Sequence, residues 1–172
     1  DLLVHPRATA HLTPERRMEA LRRSAMIVVE DIFERPDEEN LKRGIKIVSS
    51  FVHALMKDPK SYLFLSRLSS HDPYTLQHSV GTAANCIVLA KKAGVSSEEG
   101  LVDAGFAGLL HDIGKVKVRT EVINKPGPLD DDEWVEMKKH SEEGFHLIAD
   151  QQFISERVKR AILEHHEDKT GK

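Results

Sequence analysis

The stretch "GLLHDIGK", Gly108 to Lys115, decides how this chain is read. An apolar, small-residue run that includes Phe106, Leu109 and Leu110 ends in an imidazole and a carboxylate side by side, His111-Asp112, and Gly114 and Lys115 follow at once. The apolar run points to burial. A buried carboxylate is costly unless it is paired or bound to a cation. Consecutive helical residues diverge by about 100° around the axis, so His111 and Asp112 reach one ion only if the helix ends or bends there. Gly114 is the residue expected to permit that end. Alternatively each residue serves a different ion, with Asp112 bridging them. Taken alone, the pair also reads as a surface helix end with a capping histidine.

Outward from this stretch the pattern is helical nearly throughout. Thr13-Pro14 resembles an N-cap with Pro at the first helical position, and its helix runs to about Glu34, before Arg35-Pro36. Asp37 opens a second helix with Ile45, Val48, Val52, Leu55 and Met56 at core spacing, ending near Asp58-Pro59. A short helix is expected around Ser61–Leu68. Asp72-Pro73 starts another that runs to Gly94. Ser96-Ser97-Glu98-Glu99 reads as a capping box for a helix reaching about His111. The stretch with Asn124-Lys125-Pro126-Gly127-Pro128 is irregular. Asp130 and Glu133 restart a helix to His140, and two more follow, about Ser141–Gln151 and Ser155–His166. No alternating strand pattern, repeat or low-complexity tract stands out. The expected class is all-α, a multi-helix bundle with one functional loop and a metal site between helices. Residues 1–12 read as an extension or linker and 13–172 as the domain.

With 40% hydrophobic and 31% charged residues, the 172-residue chain can bury a core and stay soluble. No apolar run approaches the roughly 18–20 residues of a membrane span. A single cysteine, Cys86, excludes an internal disulfide and a multi-thiolate metal site and fits a reducing cytoplasm, the expected location. A net charge of −3 gives no global attraction for DNA, RNA or an anionic membrane. Ten histidines in a chain that is only 5% aromatic raise the prior for a metal held by nitrogen and oxygen.

The positions of the histidines sharpen that prior. On the 73–93 helix, Leu76, Val80, Ala83, Ile87 and Ala90 form the core stripe. His78 lies opposite, with Tyr74, Gly81, Thr82 and Asn85, on a face that suits a polar site or plain solvent. Ala104, Ala107 and Gly108 lie one and two turns behind His111, where small residues let helices approach. His140 sits at a helix junction, with Gly144 on the same face. His165-His166 end the last helix after Val158, Ile162 and Leu163. Such a pair is also what a cationic C-terminal turn would use. Together, five histidines and one aspartate from four helical segments make a plausible shell for two divalent ions. His5, His11, His53 and His71 read as solvated residues or local caps, and His146 as a packed one.

In this order and rough spacing, His78, His111-Asp112-x-Gly114-Lys115, His140 and His165-His166 resemble the HD-GYP domain, a branch of the HD metal-dependent phosphohydrolases. "HDPYTLQHS" (71–79), "LLHDIGK", "INKPGPLDDDEW" through "MKKH" (123–140) and "ILEHHE" (162–167) resemble its successive signatures. Two departures stand out. Thr170 occupies the place of the signature's aspartate, and the Gly-Tyr-Pro triplet, a later metal-site aspartate and the C-terminal helices lie beyond Lys172 or are absent. Tyr74 stands where some members carry a glutamate for a third ion, so two ions are expected.

The resemblance implies a phosphodiesterase that hydrolyses cyclic di-GMP to pGpG, GMP or both. Its two ions would be iron first, with manganese or zinc as alternatives. It implies His78, His111, Asp112, His140, His165 and His166 as ligands, with Asp112 bridging. Lys115 would reach a phosphate oxygen. Lys117, Arg119 and Lys125 would add positive potential for a dianionic substrate, or else form a solvated loop face. Signalling protein partners and a homodimer complete the expected associations. Two other readings remain at this stage. One is an HD-type hydrolase of another nucleotide. The other is a catalytically weak or inactive module that binds metal or nucleotide and signals through partners.

Overall fold

A computed structural model describes residues 12–58, 61–62, 76–168 and 170, and among them there is helix and no strand. Most of the expected 61–68 helix lies outside the described residues. So do the Asp72-Pro73 start, Tyr74, His5, His11, His71, Gly171 and Lys172. The chain divides into two compact units, Asp1–Leu109 and Leu110–Lys172. No helix among the described residues is long and apolar enough to cross a membrane.

Among the described residues the first unit has four helices. Helix α1 (Pro14–Glu34) begins as its sequence dictates, with the Thr13 hydroxyl accepting the Arg16 amide at 3.3 Å. Helix α2 (Glu38–Lys57) is capped by Asp37, whose carboxylate accepts the Asn40 amide at 2.9 Å. The buried Asn40 side chain turns back to donate to the carbonyls of Arg35 and Asp31 at the end of α1, adding a second bond to each beside the backbone amides of Asp37 and Arg35. Helix α3 (Leu76–Lys92) stops at Gly94, whose φ of 97° suits a residue without a Cβ. Helix α4 (Glu98–Leu110) is capped by the Ser97 hydroxyl, which accepts the Gly100 amide at 3.2 Å. That bond starts one residue later than the expected box from Ser96 to Glu99.

Ile32, Leu41, Ile47, Phe51, Ile87, Leu101, Phe106 and Leu109 fill this unit's core. Burying each such side chain contributes about 1.5–3 kcal/mol. The small residues before the His-Asp pair do what their size suggests. A Cβ on Gly105 would come within 2.7 Å of Val48 and Ile87, and one on Gly108 within 2.9 Å of the Cys86 sulfur.

In the second unit α4 gives way at His111 to a turn and then a 3-10 helix, Ile113–Lys117. Helices α5 (Thr120–Ile123), α6 (Asp131–Lys138), α7 (His140–Ile148) and α8 (Glu156–Glu164) follow. Helix α6 carries the expected capping box. The Asp130 carboxylate accepts the Glu133 amide at 2.9 Å, and the Glu133 carboxylate accepts the Asp130 amide at 2.8 Å. The 3-10 turn and α5 fall in the stretch whose turn residues point to loop, and tertiary packing of Val118 and Val122 holds them.

Two expectations are corrected here. Gly114 does not end the helix through a left-handed backbone, since α4 already stops at Leu110 and only Gly94 and Gly127 have positive φ among the described residues. Its need for a missing side chain is steric. A Cβ there would lie 1.9 Å from the His140 carbonyl oxygen and 2.4 Å from the Gly144 nitrogen. His146 does not pack. Its side chain is 61% exposed and lies 3.7 Å from Glu142 on the same helix face. His53 is exposed, as expected, beside Glu98.

Candidate metal centre

Asp112 is the hinge of the site. It sits just past α4 with φ −98° and ψ 8°, and its side chain makes no capping bond to the 3-10 helix that follows. The carboxylate is therefore turned to other partners, although it is only 5% exposed. Oδ2 lies 3.1 Å from His111 Nε2 and 2.8 Å from Lys115 Nζ. Oδ1 lies 3.4 Å from His140 Nε2. Burial alone would raise the carboxyl's pKa. The hydrogen bond and charge of His111, followed by those of Lys115, outweigh burial and hold Asp112 well below the usual carboxylate range. Asp112 is thus an anion whose two oxygens face different imidazoles.

The turn is held against α7 by bare backbone. Gly114 packs directly against Gly144 and the His140 main chain, and Ile113 and Ile162 close around Gly144. His140 is 3% exposed at the first turn of α7. His165 and His166 lie just past the end of α8. One nitrogen from each of His140, His165 and His166 falls in a group whose members all lie within 4.8 Å of one another.

Two main-chain carbonyls set the ring tautomers. His140 Nδ1 lies 2.6 Å from the Met137 carbonyl and His165 Nδ1 lies 2.8 Å from the Ile162 carbonyl. A carbonyl only accepts, so both Nδ1 atoms carry hydrogen. Burial lowers the pKa of both rings, that of His165 to about 4, so both are neutral at pH 7 and each presents a bare Nε2. These two Nε2 atoms stand 3.1 Å apart, and His166 Nε2 stands 3.2 Å from that of His140.

Lone pairs of His140, His165 and Asp112 Oδ1 therefore converge on one small region, which is unfavourable unless a cation sits among them. Across metal–nitrogen bonds of about 2.1 Å, those separations correspond to ligand angles of roughly 95–100°. The donor set therefore fits a divalent ion that accepts imidazole and carboxylate together.

The sequence-expected residues divide clearly. His111, Asp112, Lys115, His140, His165 and His166 are brought together within the second unit. His78 is half-buried on α3 of the first unit. The loop cations go elsewhere. Arg119 pairs with Glu136 at 2.8 Å, Lys125 pairs with Glu133 and lies 3.6 Å from Asp130, and Lys117 is exposed. Thr170 is exposed and bonds Asp168 through both its amide and its hydroxyl. Sequence reasoning passed over the role of the Met137 and Ile162 carbonyls. The only signal for it is their position three residues before a histidine.

The chain belongs to the HD domain family, which matches residues 75–172. It is 38% identical over 128 residues to a cyclic di-GMP phosphodiesterase of Pseudomonas aeruginosa, covering 73% of this chain and 30% of that protein. It is 35% identical over 80 residues to a 3'3'-cGAMP-specific phosphodiesterase of Vibrio cholerae, covering 46% of this chain and 18% of that protein. The chain spans less than a third of the length of either curated relative. An HDG"Y"P protein of Bdellovibrio bacteriovorus shares the fold with a TM-score of 0.78 at 22% identity, over 92% of this chain and 52% of that one.

Proposed function

We propose that this chain is the HD domain of a metal-dependent phosphodiesterase that hydrolyses cyclic di-GMP to pGpG, GMP or both. The observation that carries the reading is the buried Asp112 carboxylate. One of its oxygens faces His111 and the other faces His140, in a chain similar to curated cyclic-dinucleotide phosphodiesterases. The reading treats residues 13–172 as one HD-GYP-like domain, working in the cytoplasm.

In this reading His140, His165, His166 and His111 would be metal ligands, and the family resemblance adds His78 to the set. Asp112, with one oxygen facing His111 and the other facing His140, would be the carboxylate ligand. When bound, the ions (iron first, manganese or zinc as alternatives) supply Lewis acidity and an activated water at neutral pH. The chain's own work is to hold neutral imidazoles in place through the Met137 and Ile162 carbonyls. Lys115, whose ammonium lies beside Asp112, is the candidate contact for a phosphate oxygen. Of the loop cations Lys117 is the stronger candidate, because carboxylates of α6 and its cap offset the charge of Arg119 and Lys125.

A second reading, a metal- or nucleotide-binding module that signals through partners without turnover, is favoured by Thr170 standing where the family signature has aspartate. The two are separated by incubating the metal-reconstituted chain with cyclic di-GMP and, separately, with 3'3'-cGAMP, and following linear products by chromatography. Cleavage of cyclic di-GMP is expected, and it falls at least about 100-fold in Asp112→Asn with the helical circular-dichroism signal retained. Cleavage of 3'3'-cGAMP alone reassigns the substrate. No turnover of either at full metal occupancy assigns the second reading.

A further inference from the structure

We propose that Glu136 is a positioning residue of this metal centre: its carboxylate grips Arg119 and so holds the Met137 carbonyl that fixes His140 as the Nδ1–H tautomer. The inference rests on the metal-centre reading above and adds to it a residue that touches no ligand.

Helix α6 has eight residues, too few to be stable by itself. Its first turn is tied by the capping box of Asp130 and Glu133. Its last turn carries Met137 and has two ties of its own. One is a small apolar cluster of Val118, Val122 and Met137, with Ile123 and Leu129 against it. The other is Glu136, whose Oε1 accepts the Arg119 backbone amide at 2.7 Å while Oε2 accepts the Arg119 guanidinium at 2.8 Å. One of these bonds is to main chain. The carboxylate therefore pins the backbone that joins the 3-10 turn to α5, and not merely the end of a mobile side chain.

Met137 is the next residue along. Its carbonyl meets His140 Nδ1 at 2.6 Å in a buried setting. A shift of about 1 Å breaks such a bond. A freed ring can place its hydrogen on Nε2, the nitrogen that faces His165, His166 and Asp112. In that tautomer His140 has no lone pair for an ion. The Glu136–Arg119 grip thus couples the order of the loop after the His-Asp turn to the donor state of a histidine on the next helix. Groups that orient a ligating histidine in this way typically change metal affinity about 10–100-fold.

The test uses the whole chain labelled with 15N-histidine and stripped of metal. His140 signals are assigned by their loss in His140→Gln. Wild type is expected to show His140 as Nδ1–H alone. Glu136→Ala is expected to show a mixture with Nε2–H and to bind Zn2+ at least about tenfold more weakly in direct titration. Glu136→Gln, which keeps the volume and one accepting oxygen, should show a smaller Nε2–H fraction. Val135→Ala, at a position 58% exposed on the same helix, should match wild type in both readouts. A single Nδ1–H tautomer in both Glu136 variants overturns the proposal, whatever their affinity. So does an equal change in Val135→Ala, which would signal general loosening. If the wild type binds no zinc at all, the metal-centre reading falls while the tautomer result stands independently.

Discussion

At the residue scale the site depends on imidazoles kept neutral by burial. His165 has its pKa pushed down to about 4, and His140 is lowered as well. An unfolded histidine titrates near 6.5, so between about pH 6.5 and pH 4 the unfolded chain binds more protons than the folded one. The stability contributed by the neutral rings is complete above pH 6.5 and is lost as pH falls through that window. Asp112, held below the usual carboxylate range, adds a loss of the same sign at still lower pH. Thermal melts of the metal-free chain should therefore show a midpoint falling steadily from pH 7 to pH 4. The fall should be shallower in His165→Asn, which has no titrating ring there. A flat profile in wild type contradicts the buried-neutral assignment. The candidate ligand types were legible in the sequence because imidazole and carboxylate are the groups that metal chemistry selects. The tautomers were not, because they are set by carbonyls whose direction depends on where each helix ends.

At the scale of elements the 3-10 turn and the first turn of α7 are joined with no room between them. Gly114→Ala would push a methyl group into the His140 carbonyl, a backbone atom that cannot swing aside. Overpacking of this kind costs about 3 kcal/mol in urea unfolding and should separate Asp112 from His140, so metal binding falls with stability. Gly127→Ala provides the contrast. Its φ is 121° and nothing lies within 4 Å of a Cβ there. The expected cost is about 1 kcal/mol of backbone strain, with metal affinity unchanged. Equal metal affinities in the two variants would contradict the proposed role of the Gly114 contact. The sequence invited the wrong account of Gly114 because a glycine after an apolar helix commonly serves as a stop signal. The closeness of α7, which lies far along the chain, was not visible from local pattern.

For the molecule as a whole, a site of converging lone pairs means that cation binding and folding are linked. Zinc or manganese at about 100 times its dissociation constant should add about 2.7 kcal/mol to the stability of the second unit. Chelator should remove that gain, and His140→Ala should show little of it. Hydrogen exchange offers the check, with metal-dependent protection expected in residues 110–166. Uniform protection across the chain, or none, would refute the linkage. The predicted effect is strongest in the second unit because Asp112, His140, His165 and His166 all lie after Leu109, and the proposed ligand His78 is the point of the first unit expected to share it.

The sequence by itself determined the all-α class, the positions of most helix starts and which residues are candidate donors. Caps such as Thr13, Asp37 and Asp130 act within one turn, and imidazoles and carboxylates carry their chemistry wherever they stand. Tertiary structure alone decided which oxygen of Asp112 faces His111 and which faces His140. It alone showed that Arg119 and Lys125 are held by carboxylates, that His146 is exposed, and that Gly114 is small because a distant backbone passes against it. Each of these depends on the distance between segments far apart in the chain. Local patterning carries no information about that distance until packing has set it.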